Sequence, residues 1–155
     1  MTYLLDRADR AILTCLQQDG RMTNAALAQA VGLSANATSE RMRRLVRDRV
    51  IEGFTARVSP AKLGRPLLAF VEVKLERTGA DVFAAFADAA RDTAAIEECH
   101  MVAGGYDYLL KTRHRDMAGY RAFLSDTLLR LPGIRETHTY TVMEEIKANA
   151  PVPLD

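Results

Sequence analysis

Cysteine is scarce in this chain: Cys15 and Cys99 are the only two among 155 residues, and no short spacing joins them. That excludes a disulfide framework and a zinc cluster built from paired thiols. Histidine is as sparse, and His100, His114 and His138 lack the spacing of a metal site, so they read as surface or interface residues. No apolar run approaches the roughly 20 residues of a membrane-spanning helix. The N-terminus has none of the regions of a signal peptide, so a cytoplasmic protein is expected. Gly-rich phosphate loops and nucleophile elbows are missing as well. Cys99 and His100 are neighbours on a predicted strand, so their side chains point to opposite faces and cannot pair as nucleophile and base. Glu97-Glu98 and Glu144-Glu145 read as solvated edges. No catalytic residue and no metal ligand emerges, and an enzyme is not expected. Internal repeats and low-complexity tracts are also absent.

What is present begins with charge. The net value of +1 conceals an asymmetry, because residues 1–62 carry ten Lys/Arg against six Asp/Glu while residues 63–155 carry eleven against fourteen. A basic front joined to an acidic remainder suggests a nucleic-acid-binding part and a part with another task. The length allows one domain or two small ones.

The basic part contains the run 24–44, NAALAQAVGLSANATSERMRR. Ala25, Leu27, Ala28 and Val31 recur at the steps of a helix with one inward face. Gly32 supplies a left-handed C-cap, Leu33 plugs the corner and Ser34 is a good N-cap for a second helix. Two helices joined by a short Gly-containing turn make a helix-turn-helix, whose second helix enters the major groove of DNA. Helical phasing turns Thr38, Met42, Leu45 and Val46 inward. Asn36, Glu40, Arg43, Arg44 and Arg47 then face outward, with Ser39 and Arg41 on the flanks. Arginine can grip guanine or phosphate with two parallel hydrogen bonds, and asparagine can pair with adenine. Double-stranded DNA is the expected partner, and Ser34, Asn36, Ser39, Glu40, Arg41, Arg43, Arg44 and Arg47 are the expected contacts.

Residues 4–18 predict a preceding helix. Leu5, Ile12, Leu13, Cys15 and Leu16 form its apolar stripe, and Asp6 and Asp9 favour its first turn through the helix dipole. Residues 54–58 alternate like a short strand, and 59–66, with two prolines and a glycine, read as a linker. From Leu67 the period becomes two. Ala69, Val71, Val73 and Leu75 point one way, and Phe70, Glu72, Lys74 and Glu76 the other. A turn at Thr78-Gly79-Ala80, a helix from Asp81, strands at 96–103 and 106–113, a helix from Asp116 and a strand at 134–142 follow. That order is ferredoxin-like, βαββαβ. The fold class is therefore α+β. An N-terminal three-helix winged helix-turn-helix domain spans 1–52, a strand and linker 53–66, and a C-terminal ferredoxin-like domain 67–148. The tail 149–155 is expected to be loose.

Within the second domain, residues 102–108 (VAGGYDY) concentrate paired glycines, an acidic side chain and tyrosines. Such a loop can offer N–H donors to a carboxylate and Asp107 to an ammonium, the combination an α-amino acid needs. It can equally be a plain β-hairpin with Asp107 at the surface.

The runs LDRADRAIL, DGRMTNAAL, VGLS, ERMRRL, EECHMVAGGYDYLLKTR, DTLLRLPGI and TYTVMEE cover nearly the whole chain. Together they resemble the Lrp/AsnC, or feast/famine, family of bacterial transcription regulators. The resemblance implies a cytoplasmic, nucleoid-associated DNA-binding regulator without a cofactor. It implies homodimers that assemble to tetramers, octamers or higher, with an amino acid bound between C-terminal (RAM) domains. The implied effector positions are Ala69, Met101, Asp107, Met117, Tyr140, Thr141 and Val142. The loop Val102, Ala103, Gly104, Gly105 and Tyr106 completes them, its backbone holding the ligand carboxylate. Two departures stand out. Ala35 and Ala37 occupy positions where close relatives carry prolines, and Asn36 and Ser39 also differ, so the DNA sequence read need not be the same. Thr141 stands where leucine-sensing members have an apolar residue, which leaves the effector open between leucine and another amino acid. Two other readings use the same residues: an architectural DNA-binding protein without a metabolite, and a ferredoxin-like enzyme that would leave the basic domain unexplained.

Overall fold

Asp6 caps the first helix, α1 (Arg7–Gln18), by accepting the Asp9 backbone N–H at 2.8 Å, while the Asp9 carboxylate accepts the Asp6 N–H at 3.4 Å. This reciprocal box satisfies two donors that a helix start leaves open. The computed structural model describes residues 4–77 and 79–154. The turn residue Thr78, and residues 1–3 and 155 of the outer domain ranges, lie outside the described residues. The chain divides into two units, Met1–Arg57 with Lys147–Asp155 and Val58–Ile146.

In the first unit, Thr23 caps α2 (Asn24–Val31) and Ser34 caps α3 (Ala35–Arg47), each side-chain oxygen accepting a backbone N–H at 3.2 Å. Between them Gly32 lies at φ +69°, and its N–H and that of Leu33 close on the carbonyls of the last turn of α2. A Cβ-bearing residue is strained in that conformation. The Asn24 side-chain amide donates to the Ala35 carbonyl at 2.9 Å and ties the two helix starts together. Ile12, Leu13, Leu27 and Leu45 are the buried centre, with Leu5, Leu16, Val31, Leu33 and Met42 packed around them.

Three expectations need correction here. Residues 54–58 form no strand, and Phe54 and Val58 are 56% and 64% exposed: alternation offers one apolar face, but a strand also needs a ladder partner. Val46 does not join the core and is 46% exposed. The tail is not loose. Gln17 exchanges two hydrogen bonds with the Val152 backbone, Arg10 donates to the Leu154 carbonyl, and Leu154 packs on the apolar cluster. Two prolines in the tail exclude regular structure but not docking in an extended form.

The second unit is a four-stranded sheet in the order β2-β3-β1-β4, with β1 Leu67–Leu75, β2 Ile96–Met101, β3 Tyr108–His114 and β4 Ile134–Thr141. All neighbours are antiparallel. Helices α4 (Ala80–Asp92) and α5 (Met117–Asp126), with a short 3-10 turn at Leu128–Arg130, cover one face. Ala69, Val71, Val73, Leu75, Tyr108 and Leu110 meet Phe86, Ala90, Tyr120, Phe123 and Leu128 there. The strict alternation of β1, buried at 69, 71, 73 and 75, is what turns one face of the sheet to the helices. Phe70, Glu72 and Lys74 fall on the opposite face. The hairpin after β2 opens into a loop over 102–107 rather than a tight turn at the glycines.

Candidate functional site

Helix α3 presents Asn36, Glu40, Arg43 and Arg47 to the outside, with Ser39 at its margin. The side chains of Arg43 and Arg47 are each 72% exposed. Arg43 reaches Glu40 at 3.2 Å and the Ser39 hydroxyl at 3.3 Å, while Arg47 contacts Asp48 at 2.9 Å. The Arg43–Glu40 pair, exposed on both sides, is weak. The Ser34 hydroxyl is engaged as the N-cap of α3.

Arg41 and Arg44 sit differently. Arg41 bridges Asp6 at 2.6 Å and Asp9 at 2.8 Å, and Arg44 meets the other Asp9 oxygen at 2.6 Å. Arg44 therefore does not project from the outer face as helical phasing suggested. The Asp9 N–H and then the Arg41 hydrogen bond hold the Asp6 carboxyl below its ordinary range, and Asp6 followed by Asp9 raises the Arg41 guanidinium. Sequence reasoning gave Asp9 only a dipole role. The signal was there, because Asp9 shares the stripe of Leu5, Ile12 and Leu16, and a carboxylate in an apolar stripe requires a cationic partner.

In the second unit the effector positions fall into two groups. Met101 and the loop 102–107 lie beside Tyr108, which pairs with Val73. There Asp107 accepts the Leu75 N–H at 2.7 Å through Oδ2, its own N–H reaches the Val73 carbonyl, and its carbonyl accepts from Val102. Gly104 and Gly105 have open space where a Cβ would stand, and neither needs a left-handed φ. Tyr140 and Thr141 pair with Phe70 and Ala69, and the Val142 N–H meets the Leu68 carbonyl. From Ala69 to Val73 is four residues along β1, roughly 13 Å. Met117 opens α5, soon after β3 ends at His114, which pairs with Leu67. One chain thus offsets the two groups along β1, though Tyr106 of the loop is near enough to Tyr140 to act on its phenol. Ala69 is fully buried under the helices, whereas Met101, Met117 and Tyr140 are 60%, 48% and 55% exposed. The charge of Glu72, then burial, raises the Tyr140 phenol above its ordinary value, so it stays a hydroxyl. Nearby on the open face a recess of about 230 Å³ is lined by Glu72, Lys74, Gly105, Tyr106, Glu136 and His138.

Comparison with known proteins bears on both units. The model of the winged helix-turn-helix DNA-binding family matches residues 5–52, and that of the Lrp/AsnC ligand binding domain matches 68–152. The chain is 52% identical to the leucine-responsive regulatory proteins of Klebsiella pneumoniae and Escherichia coli K12 over 143 residues, 92% of this chain and 87% of theirs. This protein belongs to the Lrp/AsnC family. Among solved structures of the family, it superimposes on a transcriptional regulator of Neisseria meningitidis in complex with L-Met with TM-score 0.92 at 32% identity, covering 98% of both chains. An AsnC family transcriptional regulator of Agrobacterium tumefaciens gives TM-score 0.91 at 30% identity, covering 96% of this chain and 97% of that one. An Lrp/AsnC member is a transcriptional regulator and not an enzyme, with a DNA-binding helix-turn-helix and an amino-acid-binding domain of α+β fold. Among the described residues no helix is long and apolar enough to cross a membrane.

Proposed function

We propose that this regulator binds DNA as a dimer and that an amino acid bound between C-terminal domains alters its assembly and thereby its hold on DNA. Helix α3 enters the major groove, with Ser34, Asn36, Ser39, Glu40, Arg43 and Arg47 as the contacting face. The observation that carries this is the exposed row Asn36, Glu40, Arg43 and Arg47 on the second helix of a helix-turn-helix. One three-helix domain offers few contacts, so two are needed, spaced by one DNA turn of about 34 Å or a multiple.

The effector is a small amino acid, leucine or another. Methionine joins the candidates through the L-Met complex of the Neisseria relative. Backbone N–H groups of Gly104 and Gly105 face its carboxylate, and Asp107, whose Oδ2 is engaged by Leu75, turns Oδ1 to its ammonium. Tyr140, Thr141, Val142 and Met117 lie further along the same sheet, and a second copy of the chain would bring such a set against the loop. That argument makes dimers, and tetramers, octamers or larger assemblies of them, part of the ligand site. A regulator of this kind works in the cytoplasm, on the nucleoid.

Two measurements test the proposal. Calorimetric titration with a panel of amino acids, leucine and methionine included, is expected to give saturable heat for at least one; silence across the panel would leave an architectural DNA-binding protein. Arg43→Ala should weaken binding to a target duplex by about 1–3 kcal/mol if Arg43 reads a base. Unchanged affinity and unchanged salt dependence would remove Arg43 from the DNA surface.

A further inference from the structure

Asp9 is 1% exposed, a carboxylate sunk in the seam between α1 and α3. Its Oδ1 accepts from Arg41 Nη1 at 2.8 Å and its Oδ2 from Arg44 Nη2 at 2.6 Å, and the same Arg41 nitrogen reaches Asp6 at 2.6 Å. Two carboxylates and two guanidiniums make a cluster of zero net charge. The side chains of Arg41 and Arg44 are 28% and 39% exposed, against 72% for Arg43. Pulling either of the first two away to a phosphate would leave a buried carboxylate short of a partner, a strongly unfavourable change. An arginine in that position is held to the protein.

We propose that Asp9 is a positioning residue that decides which arginines of α3 meet DNA. It commits Arg41 and Arg44 to the protein, fixes the rotation of α3 about its own axis, and leaves contact to the outer face, Arg43 foremost. Phosphate contacts attract every sequence alike, and base contacts discriminate. Removing two arginines from the phosphate-seeking set lowers affinity for random DNA more than affinity for the target, and so widens the ratio between them. This rests on the reading of α3 as the DNA-contacting helix.

The test uses the full-length protein and its Asp9→Asn, Arg44→Gln and Arg43→Gln variants. Each is titrated against a random-sequence duplex and against a target duplex selected for tight binding from a random pool, at several salt concentrations, with thermal melts followed by circular dichroism. Asp9→Asn should steepen the slope of log K against log salt by about 0.9 per released arginine for each bound subunit, up to about 1.8. Its affinity for random duplex at low salt should rise severalfold while the target-to-random ratio falls. A merely structural Asp9 would instead weaken all duplexes together without steepening the slope, and that outcome overturns the proposal. Arg43→Gln should flatten the slope by about 0.9, and Arg44→Gln by less than half as much. Equal flattening by the two overturns the proposal, and this comparison decides the matter if Asp9→Asn does not fold. If Arg43→Gln changes neither the slope nor the affinity for the target duplex, Arg43 does not meet DNA and the proposal falls with that reading. An Arg43 effect beside a silent Asp9→Asn rejects the tether alone.

Discussion

At Gly133 the backbone lies at φ +74°, and a Cβ placed there would stand 2.8 Å from Val82 Cγ1. Both the left-handed conformation and the contact oppose a side chain, and its carbonyl also accepts the Glu76 N–H at 2.8 Å. Gly133→Ala should destabilise the second unit by about 1–3 kcal/mol in urea unfolding; an unaltered midpoint would mean that this turn relaxes freely. His114, expected from the sequence at a surface or interface but buried beside aromatic rings, makes a second prediction at this scale. It is 5% exposed, with ring centroids 5.3 Å from Tyr120 and 4.9 Å from Phe123, and among the described residues its Nε2 has no hydrogen-bond partner. Burial first, then the charge of Arg65, push the imidazole below its ordinary 6.5, against the opposite pull of Glu97. A depressed histidine favours the neutral native form. Stability from this residue is complete above about pH 6.5 and is lost below it, as the unfolded chain takes up a proton the folded one refuses. His114→Phe keeps an aromatic ring in the box and should flatten the fall in unfolding midpoint between pH 7.5 and 5.5. If wild type and variant lose stability in parallel, the ring is not the titrating group.

At the scale of elements, capping chemistry governs the first unit. Asp6, Thr23 and Ser34 each stand at a helix N-cap with a side-chain oxygen on a backbone N–H, and Gly32 ends α2 in the left-handed region. The caps at Ser34 and Thr23 were legible from the chain because a cap is a contact of a few residues' reach, whereas Asp6 was read only for its pull on the helix dipole. The docked tail was not. Its hydrogen bonds join Gln17 to Val152 and Arg10 to Leu154 across more than a hundred residues, and no local pattern announces such a contact. Leu154→Ala should lower the stability of the first unit by about 1–2 kcal/mol, given a half-buried leucine. A melt of the variant identical to wild type would mean that the tail rests there without contributing.

For the whole molecule, the proposed effector site joins loop and strand residues that one chain sets apart along β1. The loop around Asp107 is anchored at Val73 and Leu75 of β1, and Tyr140 of β4 pairs with Phe70 further along the same strand. If a second copy completes the site, as proposed, ligand affinity and assembly are linked, each shifting the other by the same factor. Asp107→Ala is expected to abolish the effect of the effector on DNA binding and on sedimentation while leaving binding without effector close to wild type. Persistence of the response would take Asp107 out of the site. The Leu75 N–H that Asp107 accepts makes Asp107→Asn the gentler companion, since the amide oxygen can keep that bond and only the charge is lost.

Helix periods, caps, the glycine of the turn and the alternation of β1 are local properties, and from them the sequence by itself determined two domains of known class and a helix lined with arginine. The matching runs spread along the chain added the family. Only the tertiary structure decided which arginines are outside. Arg43 and Arg44 are adjacent and alike in composition and propensity, yet one is exposed and the other is bound to a buried carboxylate on another helix. The same holds for the proposed ligand residues, which the sequence could list but not place along the sheet. Short-range patterns choose the element; the partner across the core, which no pattern along the chain encodes, chooses what each side chain is free to do.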